Sequence, residues 1–296
     1  MSNFIKIFKT IAPFNKSISI EGDKSLSIRW ALLASQAKGK STCYNLLRSE
    51  DVINTLNCLK KLGIKNRLFK NKCEVIGKGL NGFVYKNKIK LDAGNSGTLG
   101  RLILGLLVHS KSLVNIKGDK SLSKRDFARV TKPLEKFGAQ FKSTLGKLPI
   151  EIKGSLSPKP IVYNENKGSA QCKSSVMFAA LNAFGSTSIK AKKSRNHSEL
   201  IFKYLNIPIK IKKTKKYDFI EIKKPKKICA FNYNIPGDIS SSAFFMVLAI
   251  LTKNSKLLIK NININPSRVG VITILKKMGA EIYLKNKRNY KGEKIS

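Results

Sequence analysis

The feature that most constrains this chain is a single α/β pattern that occurs four times. Four amphipathic helical segments are stopped at Gly63, Gly138, Asn206 and Gly279, spaced 75, 68 and 73 residues apart. Glycine and asparagine suit the left-handed turn that closes a helix. Each segment follows a more apolar helical run and a short strand candidate, and in the first unit two strand candidates come after it. A repeat near 70 residues is too long for the common solenoid modules and suits globular domains with internal pseudo-symmetry. The more apolar helix of each unit has the composition of a central element, and the second has one polar face.

The first unit opens on Gly22-Asp23-Lys24-Ser25-Leu26-Ser27-Ile28-Arg29 and runs into the apolar Trp30-Ala31-Leu32-Leu33-Ala34. Ser25 or Ser27 is the expected cap of a helix reaching about residue 38. Gly39-Lys40 reads as a turn and 41–47 as a strand. An amphipathic helix follows over 50–62, with Ile53, Leu56, Leu59 and Leu62 on one face, then strands near 64–69 and 72–76. The second unit opens on Gly94-Asn95-Ser96-Gly97-Thr98, with a strand at 112–116 and a helix at 125–137. The third opens on Gly168-Ser169-Ala170-Gln171, with a strand at 186–191 and a helix at 198–205. The fourth opens on Gly237-Asp238-Ile239-Ser240-Ser241, with a strand at 257–262 and a helix at 267–278. Before all of them, residues 4–20 read as strand, a break at Pro13, and strand.

A helix N-terminus presents free N–H groups and partial positive charge, and three of the four openings suit an anion through these groups, hydroxyls and nearby cations. In a pseudo-symmetric fold these openings converge on one cleft, with Lys24, Gly97, Ser169 and Asp238 at equivalent positions. Taken alone, each is equally an ordinary capped helix.

Composition narrows the partners. With 58 Lys+Arg against 17 Asp+Glu the net charge is +41, a field that attracts anions of any size. Nucleic acid is the obvious candidate, but the excess is lysine scattered along the whole chain, with no arginine-rich tract or zinc finger. Apolar runs such as 241–251 are too short to cross a bilayer, and the first twenty residues lack a signal peptide's continuous apolar region. Cys43, Cys58, Cys73, Cys172 and Cys229 form no paired motif, so a cytoplasmic protein without disulfide framework, metal or organic cofactor is expected.

With these residues laid out, the chain resembles the enolpyruvyl transferases, and within them the EPSP synthase (3-phosphoshikimate 1-carboxyvinyltransferase) family. The motifs that carry the resemblance are 22–29, Gly94–Thr98 with Arg101-Leu102, and Gly118-Asp119-Lys120-Ser121-Leu122-Ser123-Lys124-Arg125. They continue with Ser169-Ala170-Gln171-Cys172-Lys173-Ser174, Ser194-Arg195-Asn196-His197-Ser198-Glu199, Pro236–Ser241, Asn265-Pro266-Ser267-Arg268 and Gly279-Ala280. The sugar-nucleotide branch, UDP-N-acetylglucosamine enolpyruvyl transferase, fits less well. It would want an asparagine after the first lysine and a catalytic cysteine in a mobile loop. A lysine-rich nucleic-acid binder remains the reading from another class.

The resemblance implies an α/β (α+β) pseudo-symmetric fold, an inside-out α/β barrel built from repeated βαβαββ units, of which this chain carries four of six. It implies an upper domain over 22–236 and an incomplete lower domain from 1–21 with 237–296. The absent units carry the family's catalytic aspartate, a lysine and further arginines, so the chain reads as a truncated product or partial gene sequence. The implied reaction joins shikimate 3-phosphate, through its 5-hydroxyl, to phosphoenolpyruvate with loss of phosphate, in a protein expected to be a monomer.

The resemblance also implies roles. Lys24 is the catalytic candidate and touches both substrates. Ser25 and Arg29 hold the shikimate carboxylate; Ser169, Ala170 and Gln171, with Ser194 and Arg195, line the shikimate phosphate. Gly97, Arg125 and Gln171 join Lys24 around phosphoenolpyruvate. From residue type alone Arg29 also fits a surface ion pair, Gly97 a turn and Arg125 a solvated first turn. Asp51 and Asp238 read as a helix-start charge and a cap, His197 as structural, and His109 as a surface residue.

Overall fold

The computed structural model describes residues 10–296; the strand expected over 4–8 lies outside them. In the first unit, β1 (Asn15–Ser19) precedes α1 (Lys24–Gln36), β2 (Lys38–Tyr44), α2 (Glu50–Lys61), β3 (Lys65–Leu68) and β4 (Lys72–Lys78). The second comprises β5 (Ile89–Asp92), α3 (Gly97–Leu107), β6 (Val114–Lys117), the one-turn α4 (Lys120–Ser123), α5 (Ala128–Glu135), β7 (Gln140–Ser143) and β8 (Ile150–Lys153). The third comprises β9 (Val162–Glu165), α6 (Ala170–Ala180), β10 (Ser186–Lys192), α7 (His197–Tyr204), β11 (Ile209–Lys213) and β12 (Tyr217–Lys223). The fourth has β13 (Asn232–Asn234), α8 (Ile239–Leu251), β14 (Lys256–Lys260) and α9 (Gly270–Lys277), then a hairpin of β15 (Arg288–Tyr290) and β16 (Glu293–Ile295). The four helix-stopping residues all have left-handed backbone, with φ of 81° at Gly63, 97° at Gly138, 54° at Asn206 and 89° at Gly279.

Three four-stranded sheets repeat one topology: β13-β2-β4-β3, β5-β6-β8-β7 and β9-β10-β12-β11. In each, the first pair is parallel and the other two are antiparallel. The parallel edge strand of the second and third sheets is the strand that leads into that unit's apolar helix. The first sheet breaks this rule. Its own lead strand, β1, pairs instead with β14 of the fourth unit, and β13, the lead strand of the fourth unit, takes the vacated edge beside β2. The two exchanged strands cross where Gly22 bridges Gly237, tied by Asp23 N–H to the Pro236 carbonyl at 2.9 Å and Asp238 N–H to the Glu21 carbonyl at 3.1 Å. A Cβ on Gly22 would stand 2.0 Å from the Asn45 carbonyl oxygen, so this crossing admits only glycine.

The core lies inside the sheets. From Leu26 to Gln36, α1 is buried on every side; α3 is buried except at Arg101, and α6 from Cys172 onward. A helix that is apolar all round needs such enclosure. Gly105 brings α3 onto α6, since a Cβ there would meet the Ser175 carbonyl oxygen at 2.2 Å. The strands alternate, as in β12, where Asp218, Ile220 and Ile222 are buried and Tyr217, Phe219, Glu221 and Lys223 are on the other face. A second, smaller apolar cluster joins Ile20, Ile239, Ile262, Ile264 and Ile272. All the sheets among the described residues are open.

Three local expectations are corrected. The cap of α1 is Asp23, which accepts from the Leu26 amide at 2.9 Å, rather than Ser25 or Ser27. Gly39-Lys40 is not a turn: it lies within β2, where Gly39 absorbs a φ of 107° opposite Gly77. The helix expected over 125–137 starts later. Asp119 caps α4, and Asp126 accepts from the Ala128 amide at 2.8 Å to start α5, leaving Arg125 in the link between them.

Candidate functional site

Each apolar helix starts from a polar residue that takes up an orphan amide. Asp23 does this for α1, Ser96 for α3 through the Leu99 amide at 3.2 Å, Ser169 for α6 through Cys172 at 3.3 Å, and Asp238 for α8 through Ser240 at 2.8 Å. The caps satisfy one donor each.

The openings of α3 and α6 meet through Gln171. Its Oε1 accepts from Arg101 Nη1 at 2.7 Å, and its Nε2 donates to Thr98 Oγ1 at 3.0 Å. Arg125 donates to Asn95 Oδ1 at 3.3 Å, and Asn95 donates to Asp119 at 2.6 Å. A Cβ on Gly97 would lie 2.8 Å from Arg101 Nη1 and 3.1 Å from Arg125 Nη1. Glycine at this position therefore lets two guanidinium groups approach the first turn of α3. Burial, and then the neighbouring charge of Arg125, lowers the Arg101 pKa, and Arg101 stacks 4.8 Å from the Phe127 ring centroid. The sequence motif gives Arg101 no role, because its partner Gln171 is 70 residues away in the chain and the contact forms only in the fold.

The openings of α1, α6 and α7 meet through Arg29. This arginine lies in the first turns of α1 and is 3% exposed, which overturns the alternative of a surface ion pair. Nε donates to Ser198 Oγ at 2.8 Å, Nη2 to Ser174 Oγ at 3.0 Å and Nη1 to the Ser25 carbonyl at 3.0 Å. Burial lowers its pKa to about 10, opposed chiefly by the Glu199 carboxylate. Glu199 itself pairs with Lys173 at 2.5 Å, both fully enclosed.

Between α1 and α8 lies a third constellation. Arg268 Nη1 donates to Asp23 Oδ2 at 2.7 Å and Nη2 to Asp238 Oδ1 at 2.9 Å, so one guanidinium ties the caps of both helices. Nη1 also stands 3.2 Å from His197 Nε2; guanidinium only donates, so Nε2 accepts and Nδ1–H points to Glu293 Oε1 at 2.6 Å. Asn263 and Asn265 complete the Glu293 carboxylate at 3.1 and 3.0 Å. Burial pushes the Glu293 pKa up, but the His197 and asparagine hydrogen bonds outweigh it and hold the group below its ordinary value.

The remaining sequence candidates fall around these clusters. Lys24 is exposed; its Nζ pairs with Asp51 at 3.0 Å and its amide faces Asp238 Oδ2 at 3.3 Å. Ser25 offers its carbonyl to Arg29, and Ala170, without a polar side chain, can contribute only backbone. The Ser194 hydroxyl is buried without a partner among the described residues. Arg195 feels burial first, then the like charge of Arg268, and its pKa is lowered. His109 corrects the surface expectation: it is half-buried, and burial lowers its pKa. Lysines such as Lys65, Lys117 and Lys190 are exposed on the outer faces of all three sheets, not gathered in one stripe. Several cations, capped helix starts and hydroxyls thus stand at one end of α1, α3 and α6, an arrangement that can hold multiply charged oxyanions.

Comparison with known proteins follows the same lines. The sequence model of EPSP synthase (3-phosphoshikimate 1-carboxyvinyltransferase) matches residues 8–294. The chain belongs to the EPSP synthase family. A 3-phosphoshikimate 1-carboxyvinyltransferase of Thermoanaerobacter sp. is 40% identical over 281 residues, covering 94% of this chain and 65% of the relative. One from Syntrophomonas wolfei is 38% identical over 294 residues, covering 98% and 67%. The solved EPSP synthase of Acinetobacter baumannii superposes with a TM-score of 0.86 at 35% identity, covering 96% of this chain and 63% of that one. The chain thus spans about two thirds of the length of the EPSP synthases it matches, and the fold it shares with them is the pseudo-symmetric α/β architecture described above.

Proposed function

We propose that this chain provides the shikimate 3-phosphate site, and part of the phosphoenolpyruvate site, of an enzyme that transfers the enolpyruvyl group to the 5-hydroxyl of shikimate 3-phosphate with release of phosphate. The observation that carries the reading is the double role of α6, whose Gln171 reaches the opening of α3 while Ser174 reaches Arg29 on α1. Two anionic substrates need cations from more than one element aimed at one place, with water excluded at the moment of reaction.

In this reading Arg29 and Ser25 take the shikimate carboxylate, and Ser169, Ala170, Gln171, Ser194 and Arg195 its phosphate. Arg125, Gly97 and Gln171 take phosphoenolpyruvate. Lys24 lies between both substrates and stabilises charge as the enol is attacked. Its pair with Asp51 is half exposed and weak, so a substrate phosphate readily displaces it. The chain divides at the Gly22–Gly237 crossing into an upper domain, 22–236, and a lower one from 1–21 with 237–296. Five unpaired thiols support a cytoplasmic setting.

Calorimetry with shikimate 3-phosphate and with UDP-N-acetylglucosamine tests the assignment. Binding of the first and not of the second is expected. Preference for the sugar nucleotide would move the protein to the other enolpyruvyl branch, and salt-sensitive binding of duplex DNA alone would replace the enzyme reading.

A further inference from the structure

Arg29 carries five N–H donors and no acceptor. Three of them are spent on Ser198 Oγ, Ser174 Oγ and the Ser25 carbonyl at 2.8, 3.0 and 3.0 Å. The two hydroxyls are themselves hydrogen-bonded, Ser174 Oγ to Ser198 Oγ at 2.7 Å. Both serines are enclosed, with Ser174 1% and Ser198 0% exposed. They come from different helices, α6 and α7, and both bond this guanidinium. None of the ion pairs among the described residues includes Arg29. The nearby Glu199 is already committed to Lys173 at 2.5 Å. A buried arginine fixed by neutral oxygens and short of its own carboxylate is poised for an external one.

We propose that Ser174 and Ser198 are positioning residues that lock the plane and rotation of Arg29, so that its two remaining N–H groups form a fixed fork selective for a planar carboxylate on the acceptor substrate. The inference rests on the proposed function, in which Arg29 meets the shikimate carboxylate, and adds the residues that make that contact selective. The hydroxyl pair suits the task because it accepts without adding charge. A carboxylate there would neutralise Arg29 internally and weaken its hold on substrate. Serine also leaves the guanidinium little room to rotate, since the Nε and Nη2 bonds fix two points of the plane and the Ser25 carbonyl a third. Lys173 and Glu199, the chain neighbours of the two serines, form a buried ion pair beside them.

The test combines a probe of Arg29 itself with a probe of selectivity. Nitrogen-15 spectra of the whole chain should show a slowly exchanging Arg29 Nε–H that is broadened or lost in Ser198→Ala and retained in Ser198→Thr. Calorimetry should show Ser174→Ala and Ser198→Ala each weakening shikimate 3-phosphate by about 10-fold, the usual cost of one hydrogen bond to a charged group. Binding of its carboxamide analogue, which lacks the negative charge, should change less than about 2-fold. Thermal melts identify any variant that fails to fold, and Ser198→Thr, which keeps the hydroxyl, serves in its place. An unchanged Nε–H signal in Ser198→Ala, or equal losses for both ligands, overturns the positioning role while leaving the substrate reading intact. A wild-type chain that shows the slow Nε–H but binds neither ligand overturns the substrate reading and, with it, the carboxylate fork.

Discussion

The helices α1, α3 and α6 and the helix α8 hold equivalent places in their units and meet opposite fates. The first three are wrapped by one another and by three complete sheets. By contrast, only Ile239 and Ser242 of α8 are buried, although Ile239–Leu251 is as apolar as any of them. Phe244 is 79% and Leu251 80% exposed, and Ile274 on α9 and Met278 just after it are exposed as well. Enclosure is therefore a property of companions. Three like units bury one another, whereas the fourth, on its two-stranded β1–β14 sheet, presents the same kind of face to solvent. What α8 does share with the body is its first turn, since the Arg268 clamp and the exchanged strands act where the two regions touch.

The largest effect is expected at that clamp. Arg268→Ala leaves Asp23 and Asp238 buried without their shared cation, and a loss of about 3–5 kcal/mol in urea unfolding is expected. A loss below about 1 kcal/mol would show that the two regions are joined by the crossing strands alone. Next come paired truncations. Leu104→Ala on α3 removes fully enclosed methyl groups and should cost about 2–5 kcal/mol. Ile250→Ala on the open face of α8 should cost well under half as much, and equal losses would mean that α8 is covered in solution.

Acid gives a subtler contrast. The Glu293 pKa is depressed below its ordinary 4.5, so the stability it contributes is complete above that value and is lost as pH falls through its folded pKa. Wild-type protein should lose more stability than Glu293→Gln between about pH 5 and pH 3, with hydrogen exchange rising first around Asn263, Asn265 and His197. The same acid loss in both proteins would assign the effect elsewhere, to Asp23 first. Smallest of all, Phe244→Ser should stay within about 0.5 kcal/mol of wild type and reduce self-association at high concentration.

Much of this was legible in the sequence because local rules carried it. The stops at Gly63, Gly138, Asn206 and Gly279, the apolar first helices and the motif order need only neighbouring residues. Family membership followed from those motifs. Arg125 was placed on a helix because Phe127, Val130 and Leu134 keep helical spacing, yet Asp126 restarts the helix beyond it. The exchange of β1 and β13 had no local signal, since Ile18 and Tyr233 suit either sheet edge and only the partner strand decides. The motifs give Ser174, Ser198 and Arg268 no roles, because each acts on a side chain far away in sequence. Spacing can show that Arg29 follows Lys24 by five residues, but it cannot show that α6 and α7 close over it.

The most direct test of the account is the map of amide shifts when shikimate 3-phosphate is titrated into the isotopically labelled chain. Shifts concentrated at residues 24–29, 97–101, 169–174 and 194–198, with α8 and the outer faces of the sheets silent, are predicted. Shifts spread over the lysine-bearing strands, or confined to one helix opening, would contradict a shared anion site built from three repeated units.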